Sequence, residues 1–424
     1  MTGNDSPTGT GALPDLAPFH GIRYAAGLGS LDDLLAPPYD VVDAVQAEAL
    51  RGRSPHNCVR LVLPEGEAPE RYETAARDLA SWESEGVLER DAAPSVYVYR
   101  QTYDLDGSTI ERRALFAALR LTPFTSGEVL PHEHTHRGPK EDRLALSLAC
   151  RAQLSPIFVI GDDGEGALLE ALHSVETGEP LLSGFTPDRI AHAFWRVSDE
   201  EEAARFCTLG SAGPLLIADG HHRYETALAA AAARPDEGGA RRTLCCIVSE
   251  LDPGLSALPT HRALATSPAD GSWIEALAQM FEIDALAQGS PEAAAERVAI
   301  SDEPALGLIL AGGAAYLLRP RPTAIETGGI APSRVGIGAV LFDRMVLHGV
   351  LGTTADDAAA EGILTYHRRA AETSRAAGEG GAAFLLAPVT VDAVRAAVAD
   401  GARLPAKTTY FSPKMPTGLV FRPW

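Results

Sequence analysis

Apolar and polar positions along the chain alternate between short apolar runs and longer stretches at helical spacing. Leu215-Leu216-Ile217-Ala218 is long enough for a short buried strand. Asp219-Gly220 breaks that run with turn chemistry, and strong helix formers continue from His221 to Ala233. The predicted order is strand, glycine turn, helix. Earlier in the chain, Leu16 to Tyr24 predicts a strand entering the fold, and Asn57 to Leu63 predicts a second strand. Between them Asp43 to Leu50 predicts a helix, with Asp40 as a possible cap. Glu70 to Glu89 places Tyr72, Ala75, Ala76, Leu79 and Trp82 on one side of an amphipathic helix. Ser95 to Tyr103 alternates as a strand does, Asp106-Gly107 is a hairpin turn, and Ile110 to Leu121 is the return strand.

Further on, Ser155 to Gly161, Ile190 to Val197 and Arg242 to Glu250 predict strands. Gly164 to Gly178 and Ser198 to Leu209 predict helices, the second with a Ser-x-x-Glu capping pattern at Ser198 and Glu201. From about Ser267 polar clusters thin out. A helix over Trp273 to Phe281, a hairpin of Ala305–Leu310 with Ala315–Leu318, and a helix over Val340 to Leu351 are expected there. The pattern gives an α+β (mixed α/β) class, with mixed sheets and packed helices. The expected organisation is a disordered tail over residues 1–14 and a main α/β domain over 15–265 that carries the polar motifs. A second α/β region follows over 266–406, and the C-terminal segment 407–424 returns to the site.

Composition narrows the partners. Hydrophobic content of 46% and charged content of 22% are those of an ordinary globular chain. A formal net charge of −21 argues against nucleic acid, which needs a basic face. No apolar run approaches the ~20 residues that span a bilayer, so no membrane span is expected. Met1 to Pro14 lacks the basic and apolar segments of a secretory signal, and a cytoplasmic location is expected. Cys58, Cys150, Cys207, Cys245 and Cys246 form no CxxC pair and read as free thiols, with Cys245 and Cys246 inside a core strand.

The candidate chemistry is concentrated in a few turns. His221, His222 and Arg223 fall in the first turn of the predicted helix, just after Asp219 and Gly220. A helix N-terminus carries unpaired N–H groups and partial positive charge, so cations there cost about 0.3–1 kcal/mol each when charged. A bound anion removes that cost. Asp219 beside them is a carboxylate for base or metal-side chemistry, or simply a helix cap. Ala36-Pro37-Pro38-Tyr39-Asp40 is a proline-fixed segment that can hold Tyr39 and Asp40 in one geometry. His132, Glu133, His134 and His136 suggest a metal, but alternating His residues on a loop do not fix a tetrahedral site. Lys140 and Arg143 suit phosphate or carboxylate groups of a substrate. His261-Arg262 follows a proline-fixed turn, and Lys407 to Lys414 gathers two lysines and several hydroxyls between prolines.

These segments resemble a bacterial and archaeal family known as domain of unknown function 1015. The resemblance runs from about Pro18 to Phe421. It is carried by Ala36–Val41, Leu130–Glu133 with Gly138–Leu144, Ala218–Ala227, Leu258–Arg262 and Lys407–Lys414. Over about a dozen residues, Leu215 to Ala227, the Asp-Gly-His-His-Arg turn is also similar to that of free-serine kinases built on the ParB-like nucleotide-binding fold. That second resemblance implies a ParB-like core and phosphoryl transfer from ATP or ADP, with Mg²⁺, to a small hydroxyl-bearing metabolite. Gly220, His221, His222 and Arg223 would meet nucleotide phosphates, and Asp219 would be a base or metal-side carboxylate. In the kinase reading built on it, Asp40 and Glu133 join Asp219 as candidate catalytic carboxylates. Tyr39, His132, Lys140, Arg143, His261 and Lys407 would bind substrate. Two other classes fit the same residues: a metal-dependent hydrolase, and a non-catalytic nucleotide sensor that needs the phosphate cradle but not Asp219 or Asp40. The acceptor, the metal and the oligomeric state stay open.

Overall fold

The computed structural model describes residues 12–105, 107–133, 138–268, 272–287, 290–399 and 401–424. The chain divides into two compact units. The first comprises Met1–Pro131, Thr135–Leu255 and Pro413–Trp424, and the second His132–His134 and Ser256–Ser412. The C-terminal segment is thus shared: residues up to Ser412 go with the second unit and the rest with the first. His261–Leu264, placed by the sequence with the first domain, pairs instead with Leu364–His367 and Ala382–Leu385 in the second unit's sheet.

Among the described residues the first unit is built on a nine-stranded mixed sheet. Its order is Val129–Leu130, Leu215–Asp219, Ile157–Gly161, Arg242–Ser249, Ser108–Arg120, Val96–Leu105, Ala191–Val197 and Leu182–Phe185, with Leu16–Ala17 also on Ser108–Arg120. Arg242–Ser249 runs parallel to Ile157–Gly161, and Leu215–Asp219 parallel to Val129–Leu130; the remaining pairs are antiparallel. Side chains alternate across a pleated strand, so every second residue shares a face. One face carries Val96, Val98, Leu115, Ala117, Leu119, Ile157, Val159, Leu215, Ile217, Cys245 and Ile247. It is covered by Leu168, Ala171 and Leu172 of helix Ala167–Val175 and by Ala203 and Phe206 of helix Glu200–Gly210. The opposite face is aromatic. Tyr97 stacks on Phe194 at 5.1 Å between ring centroids, and Phe116 meets Phe194 edge-on at 5.5 Å. That aromatic face also carries two buried polar residues, Gln101 and Arg112, directly opposite one another across the strands.

The second unit holds a six-stranded antiparallel sheet among its described residues, ordered Phe281–Ala285, Ala315–Pro320, Leu306–Leu310, Ala382–Leu385, His261–Leu264 and Leu364–His367. Ala263, Ile309, Leu317, Ala383 and Leu385 pack one face against helices Pro291–Ala299 and Ala370–Ala377. Phe384 on the other face meets Trp273 at 5.5 Å and Phe342 at 5.1 Å.

The mixed α/β class stands, with mixed parallel and antiparallel pairing. Several local expectations are corrected. Asn57 to Leu63 is not a strand: Val59–Val62 is a helical turn. The Asn57 amide donates to the carbonyls of Asp33 at 2.8 Å and Leu35 at 3.1 Å, and its Oδ1 accepts from the Val59 N–H at 2.9 Å. Most of the run is buried, so its hydrophobicity carried no period to tell helix from strand. Leu16 to Tyr24 is two short strands, Leu16–Ala17 and Ile22–Tyr24. Asp43, not Asp40, caps helix Ala44–Arg53, through a full capping box with Gln46. Asp199, not Ser198, caps helix Glu200–Gly210. Helix Glu70–Ser84 stops short of Glu89, and the helix at Trp273 ends at Leu277 before the strand from Phe281. Val340 to Leu351 is helical but widens into a π-helix over Phe342–Leu351. The outer part of the expected tail, residues 1–11, lies outside the described residues. Among the described residues no helix is long and apolar enough to cross a membrane. All five cysteines are free.

Two buried histidines give the fold an acid-sensitive element in each unit. Burial pulls His192 down to about 4, against a smaller opposing pull from Asp188. Burial and the neighbouring Arg262 bring His261 to about 4 as well. The unfolded chain takes up a proton at each imidazole as pH falls below about 6.5, while the folded chain does so only near 4. Stability is therefore full above pH 6.5 and falls across the window from 6.5 to 4, by on the order of 3 kcal/mol per histidine. Thermal melts across that window check this; a midpoint indifferent to pH from 6.5 to 4 contradicts it.

Candidate functional site

The site begins in the irregular pairing of Leu215–Asp219 with Ile157–Gly161. Leu216 faces Ile160 and Ile217 faces Val159, but Asp219 faces Phe158. One extra residue is absorbed between Ile217 and Asp219. Without it Asp219 would share the face of Leu215 and Ile217, inside the apolar core. A bulge re-aims side chains in this way. Here it turns the Asp219 carboxylate to the aromatic face, beside Phe158. Gly220 follows with φ of 95°, a left-handed conformation open to glycine at little cost, and helix His221–Ala233 starts directly after it.

Asp219 does not cap this helix; Gly220 holds the cap position without a side-chain bond. Its Oδ2 instead accepts from Arg223 Nη2, and its Oδ1 accepts from Lys414 Nζ at 2.5 Å. The Arg223 guanidinium also donates through Nη1 to the Pro156 carbonyl. All three side chains are nearly out of water, at 13% exposure for Asp219, 9% for Arg223 and 15% for Lys414. Burial alone would push the Asp219 carboxyl up. Arg223, Lys414 and His221 together outweigh it and hold Asp219 below the usual carboxylate range. Asp219 is thus a fixed anion between two cations.

Tyr39 and Asp40 reach the same place. They form a 3₁₀ turn, Tyr39–Val41, directly after buried Pro38. Both raise the proton affinity of Arg223 by their nearness to it, after Asp219. Burial raises the Tyr39 phenol, and Arg223 and Arg143 oppose the rise. The Arg143 guanidinium lies over the Tyr39 ring at 4.5 Å from its centroid. Arg143 Nε donates to Asp142 at 2.8 Å and Nη1 to the Val62 carbonyl. Asp40 is exposed. Tyr39, Arg143, Ser155, Arg223 and Thr226 line a cavity of about 60 Å³. A larger one of about 390 Å³ opens beside Lys414, between Pro37, Pro38, Leu50, Asp188 and Ile190. The larger is in the size range of small-molecule sites.

The structure thus brings together Asp219, Gly220, His221, Arg223, Tyr39, Asp40 and Arg143. His221 is buried at the helix start and His222 half-buried beside it. Lys140 forms an ion pair with Glu225, on the helix that follows Gly220. The remaining candidates lie in the second unit. His132 is buried there, its Nε2 2.7 Å from Thr409 Oγ1 and 3.7 Å from Glu133 Oε1. His261 accepts the Leu386 N–H on Nδ1 at 3.1 Å, a structural bond inside the sheet. Lys407 is exposed with φ of 57°, and its carbonyl accepts from Arg262 at 3.0 Å. His134 and His136 lie outside the described residues, and among the described residues no group of three or more His, Cys, Asp or Glu could hold a metal ion.

Sequence reading missed Lys414. It chose Lys407 from the same segment, although Lys414 sits between Pro413 and Pro416, where a restrained backbone marks a placed side chain. Gly220 yields a direct test of the turn. A β-carbon there would fall 3.0 Å from both Cζ and Nε of Arg223, at a φ that side chains rarely adopt. Gly220→Ala should cost about 1–3 kcal/mol of stability by thermal or denaturant melting. An unchanged melt would mean that the turn is not built as described.

Residues 16–338 match the family model described as protein of unknown function (DUF1015). No curated protein matches the chain. Among solved structures, a free serine kinase in complex with AMP is similar at 15% identity and a TM-score of 0.36, over 72% of this chain and 92% of that one. A free serine kinase mutant in complex with ADP gives 15% identity and 0.37 over 72% and 92%. A conserved hypothetical protein from Pyrococcus furiosus gives 15% identity and 0.35 over 73% and 95%. The family match takes in the strand, turn and helix that place Asp219 and Arg223, and it covers well over half of the sequence: the chain belongs to the DUF1015 family.

Proposed function

We propose that this chain binds a nucleotide through its phosphates at the Gly220 turn and transfers a phosphoryl group to a small hydroxyl-bearing metabolite. The observation that carries this reading is the pair of cations, Arg223 and Lys414, held on the single carboxylate of Asp219 at a helix N-terminus. Fixed donors around phosphate oxygens are the main requirement of phosphoryl transfer. Arg223 and Lys414 bind and orient those oxygens, and the cavity of about 390 Å³ beside Lys414 takes the body of a ligand. Asp219 is too strongly ionised to serve as base, and its work is to hold the two cations. Asp40, exposed and near Arg223, is the candidate base. The acceptor oxygen attacks phosphorus, its proton passes to Asp40, and the bond to the departing nucleotide oxygen breaks. Asp219 does not fit as a Mg²⁺ ligand, because each of its oxygens already holds a cation. Mg²⁺ brought in with a nucleotide would neutralise phosphate charge, while Arg223 and Lys414 would still orient the oxygens.

The engagement of both Asp219 oxygens also suits a non-catalytic nucleotide sensor, which needs the cations and no base. Incubation with ATP or ADP, Mg²⁺ and a panel of hydroxyl metabolites beginning with serine, followed by ³¹P NMR, separates the two. A phosphomonoester formed by wild-type protein and lost in Asp40→Asn supports transfer. Nucleotide binding with no product from any acceptor supports the sensor.

A further inference from the structure

We infer that the buried Gln101–Arg112 pair is a positioning device that fixes Lys414 on the anion-binding site; this rests on the phosphate reading of that site. Gln101 and Arg112 are cross-strand neighbours on the aromatic face, and both are withdrawn from water. Arg112 donates to Gln101 Oε1 from Nε at 3.2 Å and from Nη2 at 2.5 Å. Its Nη2 also donates to the Pro413 carbonyl, and Gln101 Nε2 donates to the Lys414 carbonyl at 3.2 Å. Two successive carbonyls of the C-terminal segment are thereby held by one side-chain pair. Three residues further on, the main chain of Thr417 exchanges hydrogen bonds with that of Ala36 at 2.8 and 3.2 Å. Lys414, whose ammonium reaches Asp219, is held by its own carbonyl at the first clamp, and only Met415 and Pro416 separate it from the second.

The chemistry of the pair points the same way. A guanidinium taken fully out of water pays a large desolvation cost, and burial pulls the pKa of Arg112 down. Apolar side chains at both positions would satisfy the sheet without that cost. The orientation of the pair toward main-chain carbonyls gives the tail a single register. Lys414 is thereby placed by the pair and Asp219 by its bulge, both on the aromatic face of the sheet. Gln101 and Arg112 act through Lys414, so their removal should alter Lys414 without touching Arg223.

The test is site-specific acylation of lysines in the full-length protein with limiting acetic anhydride, read by mass spectrometry, for wild type, Gln101→Met and Gln101→Asn. The Asn variant keeps a buried amide but is one methylene too short to reach the Lys414 carbonyl, and it guards against a Met variant that fails to fold. Lys140 and Lys407 serve as internal references. The expected result is acylation of Lys414 faster by about threefold or more in the folded variants, with the reference lysines unchanged, and ADP affinity about tenfold weaker. A purely structural role for the pair would lower the melting midpoint and leave the Lys414 rate at its wild-type value, and that result overturns the inference. Faster Lys414 acylation in a protein whose wild type binds no ADP would uphold the positioning of Lys414 and remove the nucleotide reading instead.

Discussion

Asp219→Asn should destabilise the free protein by about 3 kcal/mol and at the same time make it more responsive to anions. The loss follows from removing the carboxylate that two buried cations share, which costs about 3–5 kcal/mol when a buried pair is broken from one side. Arg223 and Lys414 are both nearly buried, and each bonds a separate oxygen of Asp219. Asparagine keeps the shape but offers only one acceptor and no charge. A phosphate-bearing ligand then supplies the missing negative charge. Pyrophosphate or ADP should therefore raise the melting midpoint of Asp219→Asn by more than that of wild type, through the linkage of binding to stability. Turnover should nevertheless fall by on the order of a hundredfold, because the cations are no longer held at fixed positions and a small displacement costs that much. Thermal melts with and without pyrophosphate check the first part, and a product assay the second. An equal ligand response in both proteins would mean that anions do not use these cations.

Arg223→Lys is the second large effect. Arginine presents a planar fork that holds two acceptors at once, here Asp219 and the Pro156 carbonyl. Lysine is a point charge on a flexible stem and cannot reproduce that geometry. Nucleotide affinity should weaken about tenfold or more, equivalent to about 1.4 kcal/mol for one lost charge-assisted bond. Calorimetric titration of a variant with a cooperative melt reads this directly. An affinity equal to that of wild type would place the phosphates elsewhere.

The turn at Gly220 was legible because its punctuation is local: four apolar residues, a glycine that permits positive φ, then strong helix formers. The same holds for Tyr39 and Asp40, fixed by Pro37 and Pro38. Lys414 was not legible as a partner of Asp219. They are 195 residues apart, and their meeting depends on a bulge and on carbonyl clamps from Gln101 and Arg112, none of which leaves a mark in the sequence pattern. The short helix Val59–Val62 looks like a strand in sequence for a related reason. Its turn is set by the Asn57 side chain bonding distant carbonyls, while its run of buried apolar residues has no visible period. His261 was chosen for its polarity, yet its ring nitrogen closes a backbone bond from Leu386 in the core of a sheet.

The most direct measurement is a calorimetric titration of the wild-type protein with ADP and with ATP, each with and without Mg²⁺. The expected result is saturable binding near one nucleotide per chain, displaced by inorganic pyrophosphate and weakened in Arg223→Lys. No binding of either nucleotide under any of these conditions would contradict a phosphate site at Arg223 and Lys414.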